Sequence, residues 1–261
     1  MKSIQLSIEE LIFAFYSEGL YEQGISLKEV YFPDMKDAEL KLILECASRS
    51  LMAKNMVEEK DNLYKLKNEI VDFIHIINHA ESTVKASRFI LESETEDSLS
   101  YHRKGDSFYL HRLLYEQQVH QISKVSEKEL FNTINSYFDG NYDNEESKVL
   151  FSIKIEEFEE LLGNLSQNIE SQTATKEELL ENHFYDEFLI DLKSRNCKMD
   201  SILYMEYDKE NMPDLMDVCF IIPGKDRTWF VSRGPENDYI FQNWNQRPLK
   251  DILFKNQSIS V

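Results

Sequence analysis

Histidines, cysteines and closely spaced carboxylates are the side chains here that could do chemistry, and their spacing decides which chemistry. His75 and His79 stand four residues apart, the separation that puts two imidazoles on one helical face, as zinc proteases do. Such a site needs an acid directly after the first histidine to serve as base, and Ile76 occupies that position. Flanked by Phe73, Ile74 and Ile77, the pair reads as part of a core helix. His102 and His111 flank a glycine-containing turn and can approach each other across two strands. Two imidazoles without a nearby Cys or Asp cluster make a poor ligand set, so they read as surface or cross-strand histidines. No metal site is expected.

The acid pairs Glu156-Glu157 and Glu159-Glu160 fall on the solvent side of an apolar seam, where a charged face belongs. No carboxylate pair is set apart in a way that would shift its ionisation for catalysis. Gly224-Lys225-Asp226-Arg227-Thr228 lacks the preceding glycine and the helix of a phosphate loop and reads as a β-turn. The chain has seven glycines, against about eighteen at average usage. Phosphate cradles and strained nucleophile turns are built on glycine. Neither catalytic residues nor a bound cofactor are therefore expected, and the chain reads as non-enzymatic.

Hydrophobic residues make up 42% of the 261 residues and aromatics 12%, a globular composition. Acids outnumber bases by 48 to 29, for a formal charge of -19. That charge repels nucleic-acid phosphates and anionic membranes and suits a basic or polar protein partner. Cys46, Cys197 and Cys219 are odd in number and widely spaced, as in a reduced cytosolic chain. Met1-Lys2-Ser3-Ile4-Gln5 lacks the pattern of a signal peptide, and no apolar run approaches the roughly twenty residues that span a bilayer. The expectation is a cytoplasmic protein with no membrane insertion and no nucleic-acid partner.

The elements that must position any site follow from periodicity and caps. Ser7-Ile8-Glu9-Glu10 is a capping box opening a helix through Leu11, Ile12, Phe15 and Tyr16 that stops near Gly19. Residues 24–34, with Pro33, read as a turn region. Leu40, Ile43, Leu44, Ala47 and Leu51 recur at helical spacing and predict a helix over 36–54. Residues 55–66 suit a hairpin turning at Asp61-Asn62. Residues 66–80 fit a third helix, although Ile70-Val71-Asp72-Phe73-Ile74 fits a strand equally well. Helices followed by a hairpin resemble a winged helix, but Glu39, Glu45 and Glu58 make it a packing unit and not a DNA reader.

A strand is expected over 83–92, and a hairpin over 99–103 and 108–119 joined at Lys104-Gly105-Asp106. A second capping box, Ser126-Glu127-Lys128-Glu129, starts a helix ending at Phe138. The polar stretch Asp139-Gly140-Asn141-Tyr142-Asp143-Asn144 then divides the chain into halves 1–138 and 139–261 of one compact domain. Phe151, Ile155, Phe158, Leu162, Leu165 and Ile169 alternate by steps of four and three, predicting a helix. A third capping box, Thr175-Lys176-Glu177-Glu178, opens its partner, with Leu180, Phe184, Phe188 and Leu192 on one face. Together they form an αα-hairpin over 146–195. Four β-type runs, 201–207, 216–222, 228–233 and 239–244, make an antiparallel meander closed by a helix over 247–254. The fold class is α+β, an antiparallel sheet flanked by helices, with a quasi-two-fold order of elements.

That layout resembles the EspG-type chaperones of ESX (type VII) secretion systems, through residues 6–20, 40–57, the strands around Phe89 and 108–119, and the tail. In the tail the pattern runs Trp229-Phe230-Val231-Ser232-Arg233, then Tyr239-Ile240-Phe241, then Pro248-Leu249 with Leu253. The glycine- and alanine-rich composition of that family is absent here. The resemblance implies a cytosolic chaperone or adaptor for one secreted effector, with a client-binding sheet loop over 94–106 and a helical hairpin over 146–195. Candidate partner-binding residues are Tyr101, Arg103 and Lys104 on the loop, and Leu161, Phe184, Tyr185, Phe188 and Leu189 on the hairpin. The hairpin has more apolar surface than one seam buries. Either its second stripe packs on the sheet, or part of it is an exposed groove for an amphipathic helix. The rival role is an immunity protein whose acidity suits a basic toxin.

Overall fold

The structure, a computed structural model, describes residues 3–60, 63–139, 148–166 and 183–254. Its strands are β1 (Ser3–Ser7), β2 (Val57–Lys60), β3 (Leu63–Leu66), β4 (Ser82–Ile90), β5 (Thr95–Lys104), β6 (Ser107–Leu114), β7 (Val119–Val125), β8 (Val149–Lys154), β9 (Asp200–Tyr207), β10 (Pro213–Pro223), β11 (Thr228–Arg233) and β12 (Asp238–Asn243). The helices among the described residues are α1 (Ile8–Ser17), α2 (Tyr21–Tyr31), α3 (Asp37–Ala53), α4 (Asn68–Asn78), α5 (Glu127–Tyr137), α6 (Ile155–Ser166), α7 (His183–Ser194) and α8 (Gln246–Leu253). Ten strands form one antiparallel sheet in the order β1-β7-β6-β5-β4-β9-β10-β11-β12-β8, and β2-β3 stand apart as a hairpin. The fold is α+β.

The chain writes one order of elements twice. An edge strand runs without a break into a helix (β1 into α1, β8 into α6), helices follow, then a four-strand meander (β4 to β7, β9 to β12), then a closing helix (α5, α8). In both copies the edge strand pairs antiparallel with the last strand of the meander, β1 with β7 and β8 with β12.

One compact unit comprises residues 1–83, 99–127 and 207–212. The Ser7 hydroxyl accepts the Glu10 N–H at 3.3 Å and the Glu10 carboxylate accepts the Ser7 N–H at 2.9 Å, completing the capping box. Glu10 is buried, and it also takes the Ser50 hydroxyl at 2.7 Å and the Lys54 ammonium at 2.6 Å. The cap thereby ties α1 to α3. The expected turn over 24–34 is instead mostly α2. Gly24 is there for close approach: a Cβ at that position would lie 2.7 Å from the Tyr16 ring on α1. Gly24 is the fully buried residue of α2, and with Leu27 only partly buried against the core the helix shows no clear apolar stripe to read. In α4, Ile70, Phe73, Ile74 and Ile76 are buried, which settles helix over strand. The β2-β3 hairpin forms as expected, with Asp61-Asn62 outside the described residues.

The other unit comprises 84–98, 128–206 and 213–261. Here Phe151 lies on β8 and not at the start of a helix. Phe151 and Ile153 point inward while Ser152 faces out, a period of two that the step from Phe151 to Ile155 had disguised as a helical step. The helical seam starts at Ile155. Its last member, Ile169, the linker from Gly140, the third capping box and Leu180 lie outside the described residues. The meander carries Trp229, Phe230 and Val231 at 0%, 1% and 0% exposure, so both faces of β11 are covered. On one face Phe151, Phe158, Phe188 and Phe241 pack with α6 and α7. On the other, Trp244 meets Phe230 and Phe138, the residue after α5, and its indole N–H donates to Asn135 Oδ1 at 3.2 Å.

Candidate functional site

The hairpin residues expected to bind a partner are core. Phe188 is 0% exposed, Tyr185 3% and Leu161 4%, all in the cluster around Trp229 and Phe241. Phe184 and Leu189 are partly buried against the same cluster, and the Arg227 guanidinium covers the Phe184 ring at 4.9 Å. As far as it is described, the second apolar stripe packs on the sheet. The expected loop over 94–106 is mostly strand β5. Tyr101 is buried there, Arg103 is half-buried with its Nε sealed from solvent and unbonded, and Lys104 is exposed. Strand alternation puts Tyr101 and Arg103 on one face of β5 and Lys104 on the other.

The Gly224 segment is a turn, closed by the Gly224 N–H donating to the Arg227 carbonyl at 2.8 Å. Asp191 of α7 sits on it, accepting the Lys225 N–H at 3.0 Å and the Trp229 indole N–H at 2.8 Å. An added Cβ at Gly224 would collide with this carboxylate, so the glycine admits Asp191 and not a phosphate.

His75 on α4 and His79 at its C-cap stack their rings 5.6 Å apart, and His75 Nε2 pairs with Glu18 at 3.2 Å. The sheet adds a group the sequence only half revealed. His102 on β5, His111 on β6 and His120 on β7 form a row: His102 Nε2 to His111 Nδ1 at 3.5 Å, His111 Nε2 to His120 Nδ1 at 2.9 Å. At the head of the row the Tyr207 hydroxyl donates to Thr83 Oγ1 at 3.2 Å, and that hydroxyl meets His102 Nδ1 at 2.8 Å. At its foot, His120 Nε2 is buried without a partner. Burial holds His102 and His120 down at about 4, and burial plus the neighbouring imidazoles hold His111 at about 3. The row is neutral at neutral pH, and its imidazoles lie in line, not around a point where an ion could sit. His120 was missed because the expected strand over 108–119 ran through a turn. Tyr115, Glu116 and Gln117 make that turn with φ of 52°, 54° and 67°, a left-handed run without glycine. The constant nine-residue spacing of 102, 111 and 120 was the available signal.

A concave feature lies on the α8 side of the meander, a cleft of about 440 Å³. Cys219, Phe230 and Ile252 floor it, and all three are buried. Asp217, Arg233, Arg247 and Asp251 stand around it. Leu215, 48% exposed, stands on the same face of β10 as Asp217 and Cys219. Arg247 and Asp251 are one turn apart on α8. Among the described residues, Arg233, Arg247 and Asp251 make no ion pair. Two open guanidiniums beside an apolar strip can hold a carboxylate next to an apolar side chain. Nothing in the spacing of these residues marked them in advance, because α8 and the meander bring them together only in the fold.

The family model described as "Uncharacterised protein YfjC" matches residues 3–253. A protein of Bacillus subtilis (strain 168), described as "Uncharacterized protein YfjC", is 38% identical over 260 residues, covering 98% of this chain and 100% of that protein. Among solved structures, the full-length peroxisomal multifunctional enzyme type 2 from Drosophila melanogaster is similar at 10% identity and a TM-score of 0.14. That alignment covers 92% of this chain and 47% of the enzyme, and so slight a likeness carries no argument. No helix among the described residues is long and apolar enough to cross a membrane.

Proposed function

We propose that this chain, which belongs to the YfjC family, works by binding another protein, as a non-enzymatic cytosolic chaperone or adaptor for a cognate secreted substrate of the type VII (ESX-like) kind. The observation that carries the reading is the cleft beside α8. Its floor is apolar, its rim holds charges of both signs, and among the described residues three of those charges make no ion pair. Open charges around an apolar strip suit a polypeptide segment, whose side chains supply both kinds of contact. The repeated order of elements supports the same reading, because the EspG resemblance implies a quasi-symmetric α+β fold.

A second reading, an immunity protein, draws on the net charge of -19, which favours a basic toxin. Co-expression of the tagged full chain with the products of its neighbouring genes separates the two. A chaperone co-elutes with a helical secreted protein and keeps it soluble. An immunity protein restores growth to cells making a neighbouring toxin. A chain that co-elutes with no neighbour product and protects no cell overturns both.

A further inference from the structure

We infer that the His102–His111–His120 row is an acid-responsive switch, a neutral hydrogen-bonded strut whose protonation opens the first copy of the repeated fold.

The two copies can be aligned residue by residue at the junction where each edge strand enters its helix, Ser7 to Ile8 and Lys154 to Ile155. Leu6 faces His120 where Ile153 faces Tyr239. Ile122 faces His111 where Phe241 faces Val231. Tyr109 faces His102 where Trp229 faces Ile222. The three histidines therefore stand where the second copy has Ile222, Val231 and Tyr239, exposed by 0%, 0% and 7%. An apolar solution exists for these positions in this fold, and the first copy fills them with three titratable rings.

The geometry makes the row intolerant of added protons. A neutral imidazole donates from one nitrogen and accepts at the other. Donation from Thr83 into His102, then His111, then His120 uses each internal nitrogen once and leaves the His120 Nε2–H buried and unbonded. A proton added to His111 or His120 turns its acceptor into a donor that faces another ring N–H, and one added to His102 charges a buried ring whose neighbour is only a neutral hydroxyl. The titratable groups on the elements packed over this face offer no relief. Glu10 on α1 is taken by Lys54 and Ser50, and Glu18 after α1 by His75. Lys124 on β7 lies over the Tyr109 ring, His79 stacks on His75, and Tyr207 bonds Thr83. Among the described residues no carboxylate is hydrogen-bonded to the row.

The direction follows from linkage. The folded values, about 4, 3 and 4, lie below the ordinary 6.5, so opening takes up protons. Stability is full above pH 6.5 and is lost as pH falls from there toward about 4. With three groups the opening constant rises by up to about 1000-fold per pH unit between those limits.

The test compares urea unfolding of the full chain from pH 7.5 to 4.5 with that of the triple variant His102→Ile, His111→Val, His120→Tyr, which carries the residues of the second copy. The wild type should show the steeper loss, by up to three protons, and the two slopes should agree above pH 7. Equal slopes throughout overturn the proposal. Imidazole NMR on the wild type decides independently of whether the variant folds. The three rings should stay neutral in the folded chain at pH 5.5, and a ring titrating near 6.5 while the chain remains folded overturns it.

Discussion

Replacing Phe188 by Ala separates a core hairpin from a client-binding one. The ring is fully buried, with its centroid 4.8 Å from Phe241, 5.7 Å from Trp229, 5.9 Å from Phe151 and 6.3 Å from Phe158. A buried Phe→Ala change costs about 3–5 kcal/mol, depending on how far the site can collapse. Here four aromatic rings, themselves pinned by both sides of the sheet and by α6, fix the cavity walls, which places the loss near 4–5 kcal/mol. Against a typical stability of about 5–15 kcal/mol that is a large share. At a urea slope of about 2–3 kcal/mol per M the midpoint should fall by about 1.3–2.5 M. The assay is urea unfolding followed by tryptophan fluorescence, since Trp229 touches the deleted ring. Ile190→Ala on the same helix is the control: Ile190 is 68% exposed, so its change should stay within about 0.5 kcal/mol. A Phe188→Ala loss below about 1 kcal/mol, equal to that of the control, would refute the packing argument.

Two other substitutions test the polar and backbone devices. Arg195 and Asp200 form a buried ion pair at 2.8 Å, and Asp200 also accepts the Phe89 N–H at 2.9 Å. Asp200→Ala leaves the guanidinium buried and unpaired, and chemical denaturation should register a loss of about 3–5 kcal/mol. At Gly24, helix propensity favours Ala by about 1 kcal/mol, but the added methyl meets the Tyr16 ring at 2.7 Å. The clash should win by about 1–3 kcal/mol, read as a lower thermal midpoint for Gly24→Ala.

Elements with their own local signals were legible in the sequence. The Ser7 cap, the helix carrying Ala47 and Leu51, and the strand at 228–233 appear where their periodicity and turn residues put them. What depended on tertiary contact was not legible. Helix α2 crosses α1 at a glycine and carries no clear apolar stripe, the left-handed turn at Tyr115 has no glycine or proline, and β8 imitates a helical step. The same limit governs the sites. Phe188 and Leu161 carry an apolar signal that says buried or binding without saying which, and the structure makes them core. Arg233 and Arg247 carry no signal of their own, because a rim exists only once α8 lies against the meander.

The central claim, that the cleft beside α8 grips a segment of a client protein through Arg233 and Arg247, is tested most directly by one affinity comparison. The neighbour-encoded protein that co-elutes with the full chain is titrated calorimetrically against wild type and against the double variant Arg233→Glu, Arg247→Glu. Both arginines are exposed, so the variant should keep the wild-type thermal midpoint. Like charges set against the client's carboxylate should weaken binding about tenfold or more. An unchanged Kd with an intact fold would contradict the assignment of the cleft, and the absence of any neighbour-encoded binder for the wild-type chain would contradict the role itself.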